Sequence, residues 1–219
     1  QKKEFLKIIK KKRNKRNNVI GYIRNEINLH DNSEFFFKKY VIVCTNFAFV
    51  NPRYNTNEKE IETVKRANLY GKNTMKFYKE MQTRRIKFLH DTEKLIKNNK
   101  DINFLIRPHP YEDQEEWINL TQKYKNIKIT TNKNALHQIR NAKCLLHIDS
   151  ITSLEAAYNN VPAISCGYLI NKSKLCFQVL SKTGLVANSY DDLNKKIKNY
   201  YFSKKTKNIK INKNIKSYF

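Results

Sequence analysis

Glycine is scarce in this chain, with four among 219 residues, and proline, cysteine, methionine and tryptophan are equally sparse. Glycines at 21, 71, 167 and 184 cannot supply a Gly-x-Gly-x-x-Gly turn or a Gly-x4-Gly-Lys loop, which excludes the common dinucleotide fingerprint and the P-loop. Cys44, Cys144, Cys166 and Cys176 form no Cys-x-x-Cys pair, and the five histidines show no ligand spacing, so no metal site is expected. Three of the cysteines lie in or beside apolar runs and read as buried free thiols of a reducing compartment. No window approaches the ~18 apolar residues of a membrane span. The opening "QKKEFLKIIKKKRNKRNN" is basic without an apolar stretch behind it, so no signal peptide is read.

Positive charge is abundant, with 44 Lys and Arg against 19 Asp and Glu, a net of +25. Only nine of the 44 are arginine, the residue that grips bases and phosphates with two parallel hydrogen bonds. Lysine shares its excess with 29 asparagines and 23 isoleucines, the signature of AT-rich codons, so nucleic acid is not the expected partner. The charge concentrates at the ends. Residues 1–37 are read as a basic linker or interdomain connection with a helical, amphipathic start, suited to weak contact with an anionic membrane surface. Residues 203–219 are read as a basic tail, and 38–202 as the folded domain. Gln1 in place of methionine leads to the expectation of a processed or partial chain whose N-terminal partner domain lies outside it.

Between these ends, helical and strand patterns alternate. Residues 40–44, "YVIVC", form a β-branched apolar run ending in Thr45-Asn46. Residues 57–100 carry apolar positions at helical spacing (Ile61, Val64, Phe77, Met81, Phe88, Leu95), predicting one or two long helices bent near Gly71. Strands are then expected over 102–106, 127–130, 144–148, 162–166 and 185–187. Helices are expected over 113–124, 135–141, 152–159 and 190–201. Strands that are continuous apolar runs separated by helices predict a parallel sheet covered on both faces. The fold class is therefore α/β, a Rossmann-like, doubly wound parallel sheet.

In such sheets, ligands bind where the strands end. Three strand ends stand out. One is Thr45-Asn46. The second is "FLIRPHPYEDQEEW", residues 104–117, where two prolines flank His109 and forbid both helix and central ladder. The third is "HIDSITSLEAA", residues 147–157, where Asp149, Ser150, Thr152 and Ser153 precede a helix. Hydroxyls and free N–H groups at a helix start suit an anion. Arg107 supplies positive charge, His109 a donor to phosphate, and Glu155 an acceptor for ribose hydroxyls. Each stretch has a plainer explanation. Ser/Thr-x-x-Glu caps helices generally, and a histidine between prolines often only bonds its own loop.

"FLIRPHPYEDQEEW" followed some forty residues later by "LLHIDSITSLEAAYNNVPAIS" resembles the donor-binding half of GT-B glycosyltransferases that build bacterial capsule and lipopolysaccharide. It is similar to the Kdo-transferase, sialyltransferase and teichoic-acid polymerase groups, and "VIVCTNFAFVN" resembles surface carbohydrate biosynthesis proteins. The resemblance implies a single GT-B donor-binding domain that moves a sugar from a nucleotide-activated donor, often CMP-linked, to a glycan or lipid-linked acceptor. It implies His109 as the catalytic group at the leaving phosphate, which Arg107, His109, Ser150, Thr152 and Ser153 would bind. Glu155, Thr45 and Asn46 would face the ribose and nucleoside. Neither cofactor nor metal is implied, and the place of action is cytoplasmic, peripheral to the inner membrane. The family's acceptor-binding domain, which usually supplies the catalytic base, has no counterpart before residue 38, so transfer by this chain alone is in question. Two other functions fit parts of the pattern: a non-hydrolysing sugar-nucleotide epimerase and a basic nucleic-acid-binding module. The epimerase shares the fold and a His-Pro-like strand end but normally has a Gly-rich segment before its donor-binding Glu; "SITSLEAA" has no glycine, so the epimerase ranks lower.

Overall fold

The structure is a computed structural model that describes residues 36–131, 135–170, 178–181 and 183–203. The expected N-terminal helical extension, most of the basic tail and Cys176 lie outside the described residues.

Six parallel strands form one sheet in the order β3-β2-β1-β4-β5-β6. They are β1 (Val41–Cys44), β2 (Phe104–Arg107), β3 (Ile127–Ile129), β4 (Cys144–His147), β5 (Ala163–Ser165) and β6 (Leu185–Val186). Helices α1 (Asn57–Arg66) and α2 (Thr74–Asn98) join β1 to β2, and α3 (Glu115–Lys123) joins β2 to β3. Then α4 (Ala135–Asn141) leads to β4 and α5 (Thr152–Tyr158) to β5, while α6 (Gly167–Ile170) and α7 (Gln178–Ser181) precede β6. The last helix is α8 (Tyr190–Phe202). Among the described residues, no helix is long and apolar enough to cross a membrane.

Each central strand feeds two cores because successive side chains point to opposite faces. Val41 and Val43 join Phe88, Leu95, Trp117 and Ile197 on one face, while Ile42 and Cys44 join Ala135, Ile139 and Ala156 on the other. All four β1 residues are buried, which explains an apolar run without alternation. Full burial of each Val, Ile or Phe contributes roughly 1.5–3 kcal/mol. Helices on both faces, and a chain that passes from β3 back beyond β1 to β4, place the topological switch between β1 and β4.

Local chemistry sets the boundaries. Thr56 caps α1 by accepting the Lys59 N–H at 3.4 Å, and Ser189 caps α8 through the Asp192 N–H at 3.1 Å. The bend expected near Gly71 is present: Gly71 has φ +53° and opens a short 3-10 turn before α2. The second strand is two residues later at its start, and one at its end, than the 102–106 expected. Ile102 turns back to Asn99 through its N–H, and Arg107 stays in the ladder opposite Cys44. A residue before proline favours extended backbone, so Pro108 holds Arg107 in the strand instead of ending it early.

Candidate functional site

Register brings the chemistry together. Cys44 pairs with Arg107, Val43 with Leu146, and His147 with Ser165. Arg107, Cys44, His147 and Ser165 therefore form a row across four strands, at the carboxyl edge and on the face covered by α4 and α5. Cys44 sits in its middle. Arg107 and Glu155 act on its thiol through space. Burial pushes the Cys44 thiol up to about 11, against the pull of Thr152 and Arg107, so it stays protonated and inert at neutral pH. Arg107, from β2, and His147, the last residue of β4 before the Thr152 turn, thus flank one side chain of β1 in register.

Arg107 is aimed by α4. Its Nη1 donates to Gln138 Oε1 at 3.0 Å, and Gln138 Nε2 donates to Thr130 Oγ1 at 2.7 Å. Gln138 was not expected to matter. The signal was present: it is a polar residue on the helix face that otherwise buries Ala135, Leu136 and Ile139.

His109 is fixed from below and behind. Its N–H donates to Thr45 Oγ1 at 3.1 Å, and its Nδ1 accepts the Tyr111 N–H at 3.3 Å. Occupying Nδ1 as an acceptor places the neutral ring's proton on Nε2. Burial lowers the His109 pKa, so the ring is neutral at pH 7 and Nε2 is a donor. The plain alternative, a histidine bonded within its own loop, is realised at Nδ1, and that bond is what readies Nε2.

Thr45 in turn donates to Glu112 Oε2 at 2.5 Å. The Glu112 carboxyl is fully buried and also receives the Phe47 N–H at 3.1 Å and the Trp117 Nε1–H at 3.3 Å. Burial raises its pKa in spite of these three donors. Sequence reading missed Glu112 because the acids behind the proline corner read as a helix first turn. The helix starts later, at Glu115, and Glu112 instead bridges Pro52 upstream of it.

The turn after β4 differs from a capping box. The N-cap of α5 is Ile151, with no side-chain capping bond. Ser150 and Thr152 instead share a hydroxyl–hydroxyl bond of 2.8 Å, and the Thr152 N–H points at Ser150 Oγ at 3.4 Å. Ser153 is fully buried, gives its N–H to Ser150 O at 3.1 Å, and its Oγ has no hydrogen-bond partner among the described residues. Glu155 is 2% exposed and Ser150 6%, whereas Arg107, His109, Asn46 and Thr152 are half-buried. Of the expected site residues, these last four are the ones a ligand can reach directly. Behind them, burial lowers His147 to about 3, opposed in part by the Thr183 backbone, so it is neutral.

Among the described residues, no group of three or more His, Cys, Asp or Glu stands close enough to hold a metal ion. Two open grooves lie elsewhere, one of about 910 Å³ along α8 and one of about 500 Å³ at the opposite sheet edge near Arg140 and Lys143. Neither has a buried polar side chain in its lining.

The sheet order and the helices on both faces define a class, the open Rossmann-like α/β proteins. No protein-family model matches the chain, and no curated protein does. Among solved structures it is similar to UDP-GlcNAc 2-epimerase of Methanocaldococcus jannaschii in complex with UDP-GlcNAc and UDP. The identity is 18%, over 81% of this chain and 43% of that one, with a TM-score of 0.44. A second structure of UDP-GlcNAc 2-epimerase from that organism matches at 16% identity, 78% and 41% coverage, and a TM-score of 0.45. The chain spans less than half the length of either.

Proposed function

We propose that this chain is the nucleotide-sugar-binding half of an enzyme, and specifically of a glycosyltransferase that moves a sugar from a nucleotide-activated donor, CMP-linked in the groups it resembles, to a surface glycan. The observation that carries the proposal is the gathering, at the carboxyl edge of the central strands, of Arg107 in register with Cys44 and of the Ser150–Thr152 hydroxyl pair that follows β4, beside a neutral His109 with its proton on Nε2. Arg107 balances phosphate charge, the Thr152 hydroxyl donates to a phosphate oxygen, and Asn46 faces the nucleoside. Ser150 and Ser153 shape the turn from behind. Glu155 stays buried and does not face the donor.

As the sugar–phosphate bond breaks, negative charge grows on the leaving phosphate. A donor already aimed there stabilises the transition state more than the bound donor sugar, and that difference sets the rate. In this reading His109 Nε2–H is that donor, and loss of one such donor costs ~10²–10³ in turnover. The acceptor's proton passes to a base in the acceptor-binding domain of the full-length protein. Lysine-rich ends suit loose attachment to the cytoplasmic membrane face, where activated sugars are made.

The test is a thermal-shift and calorimetric screen of the chain against CMP, UDP, GDP and CDP species, followed by product analysis with the full-length protein. A ligand at 100 Kd stabilises the fold by ~2.7 kcal/mol, which the screen detects. Transfer to a glycan hydroxyl supports the proposal. Interconversion of UDP-GlcNAc with its 2-epimer, the reaction in the name of the two structural neighbours, would replace it with the epimerase reading.

A further inference from the structure

Next to His109 the surface carries two large rings that the phosphate site does not use. Tyr54 is 69% exposed and Tyr111 65%. Their centroids lie 6.1 Å apart at 82°, an edge-to-face corner, and His109 lies 5.8 Å from Tyr111. The Arg53 guanidinium sits 5.1 Å from the centre of the Tyr54 ring. Single exposed aromatics are ordinary on protein surfaces. These two are held in place by their backbones. Arg53 N–H donates to Tyr111 O at 2.9 Å, Pro52 bridges Glu112, and Asp113 N–H donates to Asn51 O at 2.9 Å. Asn51 Nδ2 returns a bond to Asp113 O at 3.0 Å. The loop after β1 and the loop after β2 are thus zipped together, with the rings at the free end of the zip.

We propose that Tyr54 and Tyr111, with Arg53 beside them, form a carbohydrate-binding corner that seats the acceptor glycan next to His109. The inference deepens the nucleotide-sugar reading and rests on it. A pyranose has an apolar C–H face and a rim of hydroxyls. The face suits a flat tyrosine ring, and the rim meets a guanidinium and an imidazole at the corner's edges. Two rings and a guanidinium match the size of a single sugar unit rather than the roughly 800 Å² per partner of a stable protein interface. Position agrees with the chemistry. Tyr111 stands 5.8 Å from His109, so a sugar ring seated on the corner lies next to the imidazole.

The experiment compares the wild-type chain with Tyr54→Ala/Tyr111→Ala and Tyr54→Phe/Tyr111→Phe. Each is applied to a microarray of oligosaccharides ending in hexoses, N-acetylhexosamines and ulosonic acids, and each is titrated with CMP and UDP. The expected result is that wild type binds at least one oligosaccharide. The alanine pair weakens that binding tenfold or more, the phenylalanine pair restores it, and nucleotide affinity stays within twofold throughout. Absence of any bound oligosaccharide, or equal binding by the alanine pair, overturns the proposal. A tenfold loss of nucleotide affinity in the alanine pair also overturns it, because the rings then stack on the base. Oligosaccharide binding that needs the rings, in a chain that binds no nucleotide, leaves the corner standing and removes the nucleotide-sugar reading alone.

Discussion

Thr45 and Glu112, separated by 67 positions, are joined by a 2.5 Å hydrogen bond inside the protein. The same Thr45 oxygen accepts the His109 N–H at 3.1 Å, so a buried carboxyl at the base of the loop sets the position of the imidazole at its tip. Removing the carboxyl as Glu112→Ala leaves three buried donors, on Thr45, Phe47 and Trp117, without an acceptor. Each orphaned group costs about 1–3 kcal/mol, and a total loss of 3–5 kcal/mol is expected in urea denaturation. Glu112→Gln keeps one oxygen and sets its amide against a donor, for a loss of about 1–2 kcal/mol. Trp117 is the single tryptophan, and its indole N–H bonds Glu112, so its emission reports the change directly. Unaltered emission and stability in both variants would contradict the arrangement.

His109→Ala is expected to keep the fold, since the loop's anchoring N–H to Thr45 is a backbone group. In the full-length protein it should lower transfer by ~10²–10³. Full activity with an unchanged melting temperature would remove His109 from the mechanism.

Arg107→Lys keeps the charge and loses the planar fork that Gln138 orients. Nucleotide affinity is expected to fall about tenfold, the equivalent of ~1.4 kcal/mol. Gln138→Leu, which removes the orienting oxygen and leaves Arg107 intact, should produce part of that loss. Calorimetry with the nucleotide found in the screen measures both.

Acid should destabilise the protein through its buried histidines. His147 is lowered to about 3, chiefly by burial, and His109 is lowered in the same direction. Below about pH 6.5 the unfolded chain takes up protons that the folded one refuses, so stability is lost as pH falls from there toward 3. The slope from His147 alone reaches ~1.4 kcal/mol per pH unit. Glu112, raised by burial, works the opposite way and offsets part of this slope just above pH 4.5. Denaturation midpoints at pH 7, 6 and 5 should fall less steeply in His147→Gln than in wild type, and parallel curves would contradict the assignment.

Gly184→Ala is a test of the frame alone. Gly184 has φ +78°, and an added Cβ would lie 2.3 Å from Ala163 O, a backbone atom of β5 that cannot move aside. A loss of about 2–4 kcal/mol is expected, with β6 the first strand to detach. A melting temperature within a degree of wild type would show that this turn is wrongly placed.

The sheet was legible because β1, β2 and β4 are buried on both faces and therefore read as unbroken apolar runs. Helix α4 was read at its full extent, since Ala135, Leu136 and Ile139 mark its buried face. The proline corner announced itself, because two prolines leave His109 few backbone options. What stayed hidden depends on contacts distant in sequence. Nothing near Glu112 says that Thr45 will reach it, and nothing near Gln138 names Arg107. Ser/Thr-x-x-Glu misled in the other direction. Thr152 turns its hydroxyl to Ser150, and Glu155 packs inside instead of closing a cap.

Calorimetric titration of the chain with CMP and UDP, wild type beside Arg107→Ala/His109→Ala, tests the central claim most directly. The account predicts saturable binding of at least one nucleotide by wild type and a loss of tenfold or more in the double variant, whose melting temperature without ligand is unchanged. Equal affinity in the two proteins, or no heat with either nucleotide, would contradict it.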